Sequence, residues 1–100
     1  MIKLGQHFLK SKTVIEKIVR AIDPQAGETI IEIGPGHGEL TRELVAQKKR
    51  ATKIIAIEKD HGLLARLVSE PELADVEFIH GDALELLPQI TKPYTLQNYW

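Results

Sequence analysis

Glycines at alternate positions interrupt the segment "IIEIGPGHGELTREL", which spans residues 30–44. A largely β-branched apolar run precedes Gly34, Gly36 and Gly38, and a helical pattern follows them. Glycine lets a backbone approach a ligand closely, and the first turn of a helix presents free N–H groups to an anionic or polar ligand. The segment therefore predicts the floor of a cofactor site between a buried strand and a helix.

The residues around these glycines favour one class of nucleotide cofactor. The dinucleotide fingerprint places its third glycine or alanine one position after Gly38, where Glu39 stands. Glu32, two positions before the first glycine, would repel a pyrophosphate and attract an ammonium group. S-adenosylmethionine carries an ammonium group and no phosphate, so the pattern favours it over NAD. A fragment of an NAD-dependent oxidoreductase remains an alternative.

Two more carboxylates stand at the ends of the next predicted strands. Glu58 is placed to accept hydrogen bonds from both hydroxyls of a ribose. Asp82 is placed to accept from the exocyclic amine of an adenine, while the N–H of Ala83 can meet a ring nitrogen. Each carboxylate also has a structural interpretation: Glu58 as a solvated strand end, Asp82 as a cap, and Glu32 as a cap or charge-pair residue. Their occurrence at successive strand ends predicts a nucleoside-cofactor site.

The apolar pattern predicts the elements that position these residues. In chain order they are a helix 13–22, a strand 29–33, a helix 37–47, a strand 53–58, a helix 61–69 and a strand from Val76. Thr13 and Glu16 have capping-box spacing, which predicts the start of the first helix. The strand 29–33 is expected to be buried on both faces, because it is apolar except for one carboxylate. After Leu87 no clear period remains, and no further element is predicted.

This order predicts an α/β fold. Together with the preference for S-adenosylmethionine argued above, it leads us to expect the N-terminal half of a Rossmann-like class I methyltransferase. A helix precedes a parallel βαβαβ sheet, and the binding loops lie at the carboxyl ends of the strands. A doubly wound sheet has strands on both sides of its first strand, but here only one side is supplied. We therefore expect residues 1–100 to be the N-terminal part of a cofactor-binding domain. The first strand is expected to be an apolar edge that self-associates or is covered by residues 94–100.

Composition limits the other function classes. The net charge is −1, so any basic surface for RNA must be local. Candidate phosphate contacts are Lys10, Lys12, Lys17 and Arg20, with the run Lys48, Lys49 and Arg50. The sequence has no cysteine and no stretch of ~20 apolar residues, which suits a cytoplasmic protein without a membrane span. The spacing of His37, His61 and His80 matches no helical ligand pair, so no metal site is predicted.

Four stretches together resemble one family. They are "GQHFL" at 5–9, "IEIGPGHGELT" at 31–41, the acidic Glu58, and "GDAL" at 81–84. In this order and spacing they are similar to the ribosomal RNA adenine dimethyltransferases, which include mitochondrial and erythromycin-resistance relatives. The resemblance implies S-adenosylmethionine as the cofactor and conversion of adenines in small-subunit rRNA to N6,N6-dimethyladenosine. It also implies that the partner is this rRNA in the assembling small ribosomal subunit.

The resemblance also implies which residues hold the cofactor. The complete set of candidates is His7, Leu9, Gly34, Gly36, Glu58, Lys59, Asp82 and Ala83. His7 and Leu9 would close over the cofactor, and the two glycines would line its methionine part. His7 stands where the family commonly has asparagine. Lys59 stands where an apolar residue often covers the adenine, and its methylene stem could serve instead.

The family's catalytic motif, Asn-Leu/Ile-Pro-Tyr/Phe, has no match in the sequence. The segment "QNYW" contains Asn98 and Tyr99 without the intervening proline. No residue is therefore assigned to catalysis, and we expect the family's RNA-docking helical domain to lie outside residues 1–100. The chain by itself is expected to be inactive. A noncatalytic Rossmann-like binding or assembly module is the second alternative.

Overall fold

The computed structural model describes residues 11–90 of the chain. Its elements, in chain order, are helix α1 (Lys12–Ile22), strand β1 (Thr29–Ile33), helix α2 (Glu39–Gln47), strand β2 (Lys53–Glu58), helix α3 (His61–Val68), a 3-10 turn (Pro71–Leu73), strand β3 (Val76–His80) and helix α4 (Ala83–Ile90). Both β1 and β2 have the predicted bounds. Helix α2 begins later than predicted, because Gly38 adopts a left-handed conformation and forms its N-cap.

The three strands form one parallel sheet in the order β1-β2-β3. Ile31 is in register with Ile55, which in turn pairs with Glu77 of β3. Helix α2 connects β1 to its parallel neighbour β2, and α3 connects β2 to its parallel neighbour β3. The alternation of strands and helices in the sequence predicts this arrangement. The predicted α/β class with a parallel βαβαβ sheet is confirmed.

The core lies on both faces of this sheet. Ile30 of β1 packs in one cluster with residues from α1, α2 and α3, including Val19, Leu44 and Leu67. On the other face, Ile31 packs in a cluster that includes Leu87 of α4. Alternate residues of each strand face opposite helix layers, so an uninterrupted apolar run is required where both faces are covered.

Strand β1 lies at one edge of the sheet formed by residues 11–90. Its side chains are nevertheless not an apolar surface: Ile30 is 2% exposed and Ile31 is 3% exposed. The predicted burial of both faces is confirmed. Strand β1 is an edge strand of the described sheet, as expected, with its side chains covered by the helix layers. Self-association through β1 stays a prediction, and cover by residues 94–100 lies outside the described residues.

The cap of α1 and the presence of α4 also differ from the sequence prediction. The side chain of Ser11, and not that of Thr13, caps α1, and its Oγ accepts a hydrogen bond from the N–H of Val14 at 3.4 Å. Helix α4 was not predicted, since Pro88 in its interior suggested irregular structure. The helix forms because Asp82 caps its start and Leu87 is buried against the sheet.

Ala51 provides a test of backbone strain. Its φ is 68°, in the left-handed region that costs a residue with a Cβ roughly 1–2 kcal/mol. We expect Ala51→Gly to raise the free energy of unfolding by about 0.5 kcal/mol, because part of this gain is lost to the greater freedom of glycine in the unfolded chain. Urea denaturation measures the change.

The matched control is Ala65→Gly, at an exposed position in the middle of α3. It should lower the free energy of unfolding by about 1 kcal/mol, as glycine does in a helix interior. Equal destabilisation by both variants would contradict the assignment of strain to Ala51.

Candidate cofactor site

The carboxyl ends of the strands bring three candidate regions together. The N–H of Gly34 donates to the carbonyl of Ile57 at 2.9 Å, and the N–H of Gly81 donates to the carbonyl of Glu58 at 3.0 Å. Backbone pairing therefore continues past the ends of β1 and β3, on either side of β2. The glycine segment, Glu58 and the segment that contains Asp82 meet at this edge of the sheet, as the sequence predicts.

Glycine is needed for different reasons at different positions of the loop 34–38. All have positive φ: 67° at Gly34, 61° at Gly36 and 89° at Gly38. A Cβ added to Gly38 would lie 2.7 Å from Cδ2 of Leu67, so this glycine is required for packing. A Cβ added to Gly34 would meet no atom within 4 Å. The open side of the loop is therefore at Gly34, where a ligand could approach the backbone.

Glu58 holds two loops together at the end of β2. The residue is only 7% exposed. Its Oε1 accepts a hydrogen bond from the N–H of Gly36 at 3.3 Å, and its Oε2 accepts from the N–H of Asp60 at 2.9 Å. A carboxylate has about four acceptor positions, so capacity remains for the hydroxyls of a ribose. The interpretation of Glu58 as a solvated strand end is wrong.

Glu32 is buried beneath the glycine loop, with a side chain that is 3% exposed. Its Oε1 accepts a hydrogen bond of 2.6 Å from the hydroxyl of Thr41. Burial raises the pKa of Glu32 to about 7; the bond from Thr41 lowers it, while the charges of Glu39 and Glu58 raise it. Among residues 11–90 this carboxyl has neither a cationic partner nor a backbone N–H donor, so it is neither the cap nor the charge pair considered above.

Asp82 is exposed at the start of α4. Its Oδ1 accepts a hydrogen bond from the N–H of Leu84 at 2.8 Å, which is the capping role considered as an alternative. Its Oδ2 and the N–H of Ala83 have no partner among residues 11–90. Capping and recognition of an adenine edge are therefore compatible, because they use different atoms.

The turn after β2 is fixed by a histidine. Lys59 is exposed, and its carbonyl lies 3.1 Å from Nε2 of His80, which donates to it. The ring of His61 stacks on that of His80, with centroids 3.7 Å apart. In the described part of the chain, no three His, Cys, Asp or Glu side chains are grouped so that they could hold a metal ion. The sequence suggested surface histidines and gave no sign of this pair.

An arginine supports the glycine loop from the side of α2. Nη1 of Arg42 donates to the carbonyl of His37 at 3.0 Å, and its Nη2 donates to both oxygens of Glu70 at 2.6 and 2.7 Å. Its Nε donates to Glu72 at 2.9 Å. The bonds to these carboxylates raise the pKa of Arg42 further above its usual value. Sequence analysis missed this residue, because its partners are distant in the chain.

Several residues named in the sequence analysis fall outside residues 11–90. His7 and Leu9 lie outside the described residues, as do Lys10, Asn98 and Tyr99. The exposed cations Lys12, Lys17, Arg20, Lys49 and Arg50 lie on α1 and on the connection between α2 and β2. Across residues 11–90, no helix has the length and apolar character that crossing a membrane requires.

Solved structures place this fold in the Rossmann-like methyltransferase class. The 23S rRNA methyltransferase ErmE is 25% identical with a TM-score of 0.64, over 74% of this chain and 30% of that protein. The O-methyltransferase TomG from Streptomyces achromogenes, solved in complex with SAM, is 23% identical with a TM-score of 0.63, over 84% of this chain and 38% of TomG. At this identity the likeness to TomG shows the fold alone.

Sequence comparison then gives the family. The profile of the family Ribosomal RNA adenine dimethylase matches residues 1–93. The Ribosomal RNA small subunit methyltransferase A of Leptothrix cholodnii is 47% identical over 75 residues, which are 75% of this chain and 27% of that protein. The protein of the same name from Pelotomaculum thermopropionicum is 45% identical over 84 residues, which are 83% of this chain and 28% of that protein.

The chain belongs to the ribosomal RNA adenine dimethylase family. The resemblance seen in the sequence motifs is thereby confirmed. The chain spans 27% and 28% of the length of these two relatives, less than a third of each.

Burial of the Glu32 carboxyl should make the free energy of unfolding depend on pH. Because its folded pKa is raised from 4.5 to about 7, it binds its proton more tightly in the folded chain than in the unfolded chain. Its contribution to stability is complete below pH 4.5 and is lost as the pH rises through about 7. Glu32→Gln should remove this loss, which has an upper limit of about 3 kcal/mol.

Urea denaturation of both proteins at about pH 5 and pH 8 provides the measurement. Relative to the unsubstituted chain, Glu32→Gln should be more stable at the higher pH than at the lower. Glu77→Gln, at an exposed position in β3, should show no such difference. A Glu32→Gln effect that does not change with pH would contradict the raised pKa.

Proposed function

We propose that this chain supplies the S-adenosylmethionine-binding part of an rRNA adenine dimethyltransferase. The enzyme would convert adenines of small-subunit rRNA to N6,N6-dimethyladenosine. Family membership supports the reaction class, and the names of the relatives support small-subunit rRNA as the substrate. The observation that carries the proposal is the convergence of Gly34, Glu58 and Asp82 at one edge of the sheet.

The residues at this edge fit the cofactor. The open side of Gly34 leaves room for a ligand against the backbone. Glu58 keeps acceptor capacity for ribose, and Asp82 with Ala83 offers an acceptor and a donor for adenine. Glu32 and Glu58 give the site an acidic character that suits a cationic cofactor better than a pyrophosphate. We include Gly36, Lys59, His7 and Leu9 in the proposed site on the basis of the family resemblance.

The role proposed for these residues is to bind and orient. When bound, S-adenosylmethionine supplies an activated methyl group to the adenine amine, which attacks it in line. Holding the cofactor in one geometry lowers the entropic part of the barrier. No described residue is assigned to catalysis. We propose that residues 1–100 form the N-terminal part of the cofactor-binding domain, and that the residues that hold the target adenine belong to the rest of a longer protein.

The proposal extends to the surroundings of the site. The exposed cations on α1 and in the run 48–50 would contact RNA phosphates, and the protein would act in the cytoplasm on the assembling small subunit. An NAD-dependent oxidoreductase is not favoured, because Glu39 occupies the position of the third glycine and the family is a methylase family. A noncatalytic module would lack the Asn-x-Pro-aromatic motif in the full-length protein as well.

The choice between cofactors has a direct test. We expect S-adenosylhomocysteine to raise the melting temperature of the chain and NADH to leave it unchanged, because the site is acidic and lacks the third glycine of a dinucleotide fold. Calorimetry should then show that Glu58→Ala weakens S-adenosylhomocysteine binding more than about tenfold, or about 1.4 kcal/mol.

Glu77→Ala removes a carboxylate from the neighbouring strand and should bind as the unsubstituted chain does. Protection by NADH instead would support the oxidoreductase. Equal affinity of Glu58→Ala and the unsubstituted chain would remove Glu58 from the site.

The open side of the loop is tested by a pair of glycines. Gly34 and Gly27 have φ of 67° and 82°. An added Cβ meets no atom within 4 Å at either position. Substitution by alanine should therefore cost about the same stability at both, roughly 1 kcal/mol. Only Gly34→Ala should weaken S-adenosylhomocysteine binding, since Gly27 precedes β1 at the opposite end of the sheet. Equal binding by both variants would place the ligand elsewhere.

A further inference from the structure

A buried hydrogen bond joins β1 to α2 directly beneath the glycine loop. The hydroxyl of Thr41, which is 0% exposed, donates to Oε1 of Glu32 at 2.6 Å. A hydroxyl in a helix often donates to the carbonyl four residues earlier, which here belongs to His37. That carbonyl instead accepts from the guanidinium of Arg42, and the hydroxyl of Thr41 is directed at the strand. The Thr41 hydroxyl therefore bonds to the carboxyl of Glu32 and not to the backbone of its own helix.

The groups around Glu32 determine how easily its carboxyl ionises, and the bond from Thr41 is one of them. The charged groups that face it are Glu39 from α2 and Glu58 from β2, and both oppose its ionisation. The one nearby cation on α2, Arg42, is held by Glu70 and Glu72. In the described part of the chain, Thr41 is thus the single side chain that favours the charged form.

The second oxygen of Glu32 has no partner in the described part of the chain. Its Oε2 accepts no hydrogen bond from residues 11–90. Thr41 holds one oxygen, so the carboxyl is fixed in orientation while its other oxygen stays unused. A buried carboxylate in this state attracts a cation strongly, because few water molecules compete for it.

We propose that Thr41 is a positioning residue of the cofactor site, which fixes the carboxyl of Glu32 and sets the charge that it presents to the ammonium group of the cofactor. The inference rests on the proposed function. Binding of the cationic group ionises Glu32, and the proton passes to the solvent. The hydroxyl of Thr41 keeps this ionisation accessible near neutral pH. Without it, ionisation and ligand binding both move to higher pH.

Calorimetry of S-adenosylhomocysteine binding between about pH 5.5 and 7.5 tests the inference, since the ligand's amino group stays largely protonated over this range. Buffers with different ionisation enthalpies report the protons released. For the unsubstituted chain we expect affinity to rise with pH and proton release to accompany binding. Thr41→Val should lower the affinity about threefold or more at pH 7 and move the rise to higher pH. Thr41→Ser keeps the hydroxyl and should restore the original profile.

Glu32→Gln isolates the carboxyl from other groups that titrate in this range. All four histidines, including His7 of the proposed site, remain in this variant, so any pH dependence that it retains does not come from Glu32. Its profile should be flat by comparison, with no proton release. A carbon NMR titration of the Glu32 carboxyl without ligand gives a second readout, in which loss of the Thr41 hydroxyl should raise the pKa. Thr41→Ala replaces Thr41→Val if the latter does not fold.

The outcomes separate the two proposals. Identical pH profiles for Thr41→Val and the unsubstituted chain would overturn the role of Thr41, and a flat profile for the unsubstituted chain would overturn the role of Glu32. Either result leaves the proposed function intact. Absence of S-adenosylhomocysteine binding in every protein at every pH would instead overturn the proposed function, and this inference with it.

Discussion

The carboxylate of Glu58 is the contact on which the geometry of the site depends. It is buried at the end of the central strand and accepts one hydrogen bond from the loop before α2, at Gly36, and another from the turn before α3, at Asp60. The backbone carbonyl of the same residue receives the N–H of Gly81. Among residues 11–90, one residue therefore connects the three loops that carry candidate ligand contacts. Hydrogen bonds to a buried charge are stronger than neutral ones, so these loops are well fixed relative to one another.

Arg42 gives the glycine loop a second support on the opposite side. Its bidentate contact with Glu70 fixes the guanidinium, and the guanidinium then holds the carbonyl of His37. The loop is thus held through an N–H at Gly36 and through a carbonyl one residue later. A loop built in this way needs little rearrangement to receive a ligand, and such preorganisation reduces the entropic cost of binding.

Much of this architecture could be predicted from the sequence, because it depends on local pattern. Strands β1 and β2 are short apolar runs bounded by polar or turn residues, and both faces of each are covered. Helix α4 escaped prediction because Pro88 interrupts its pattern, although burial of Leu87 outweighs the hydrogen bond that proline removes. A capping hydroxyl was expected at Thr13, but Ser11 offers the same chemistry nearby, and spacing alone does not distinguish the two.

The contacts that form the site could not be predicted from local sequence patterns. The bond between Glu58 and Gly36 depends on the register of two strands, and the pairing of Arg42 with Glu70 depends on where α3 ends. The stacking of His61 on His80 likewise requires the strand pairing of β2 with β3. The sequence could place acidic residues at the correct edge of the sheet, but it could not show which backbone groups they already bind.

The two carboxylates at this edge lower the stability of the fold by their proximity, and packing alone does not explain why they are there. The charge of Glu58 opposes the ionisation of Glu32 beneath the same loop, and no described cation neutralises Glu32. Stability alone would favour an apolar residue at the position of Glu32, because Ile30, on the same face of β1, is buried in an apolar cluster. A carboxyl that holds a proton in the free protein, and releases it to the solvent when a cation binds, lessens this conflict. Departures from local stability of this kind are concentrated at functional sites, which is why the burial of Glu32 points to a ligand.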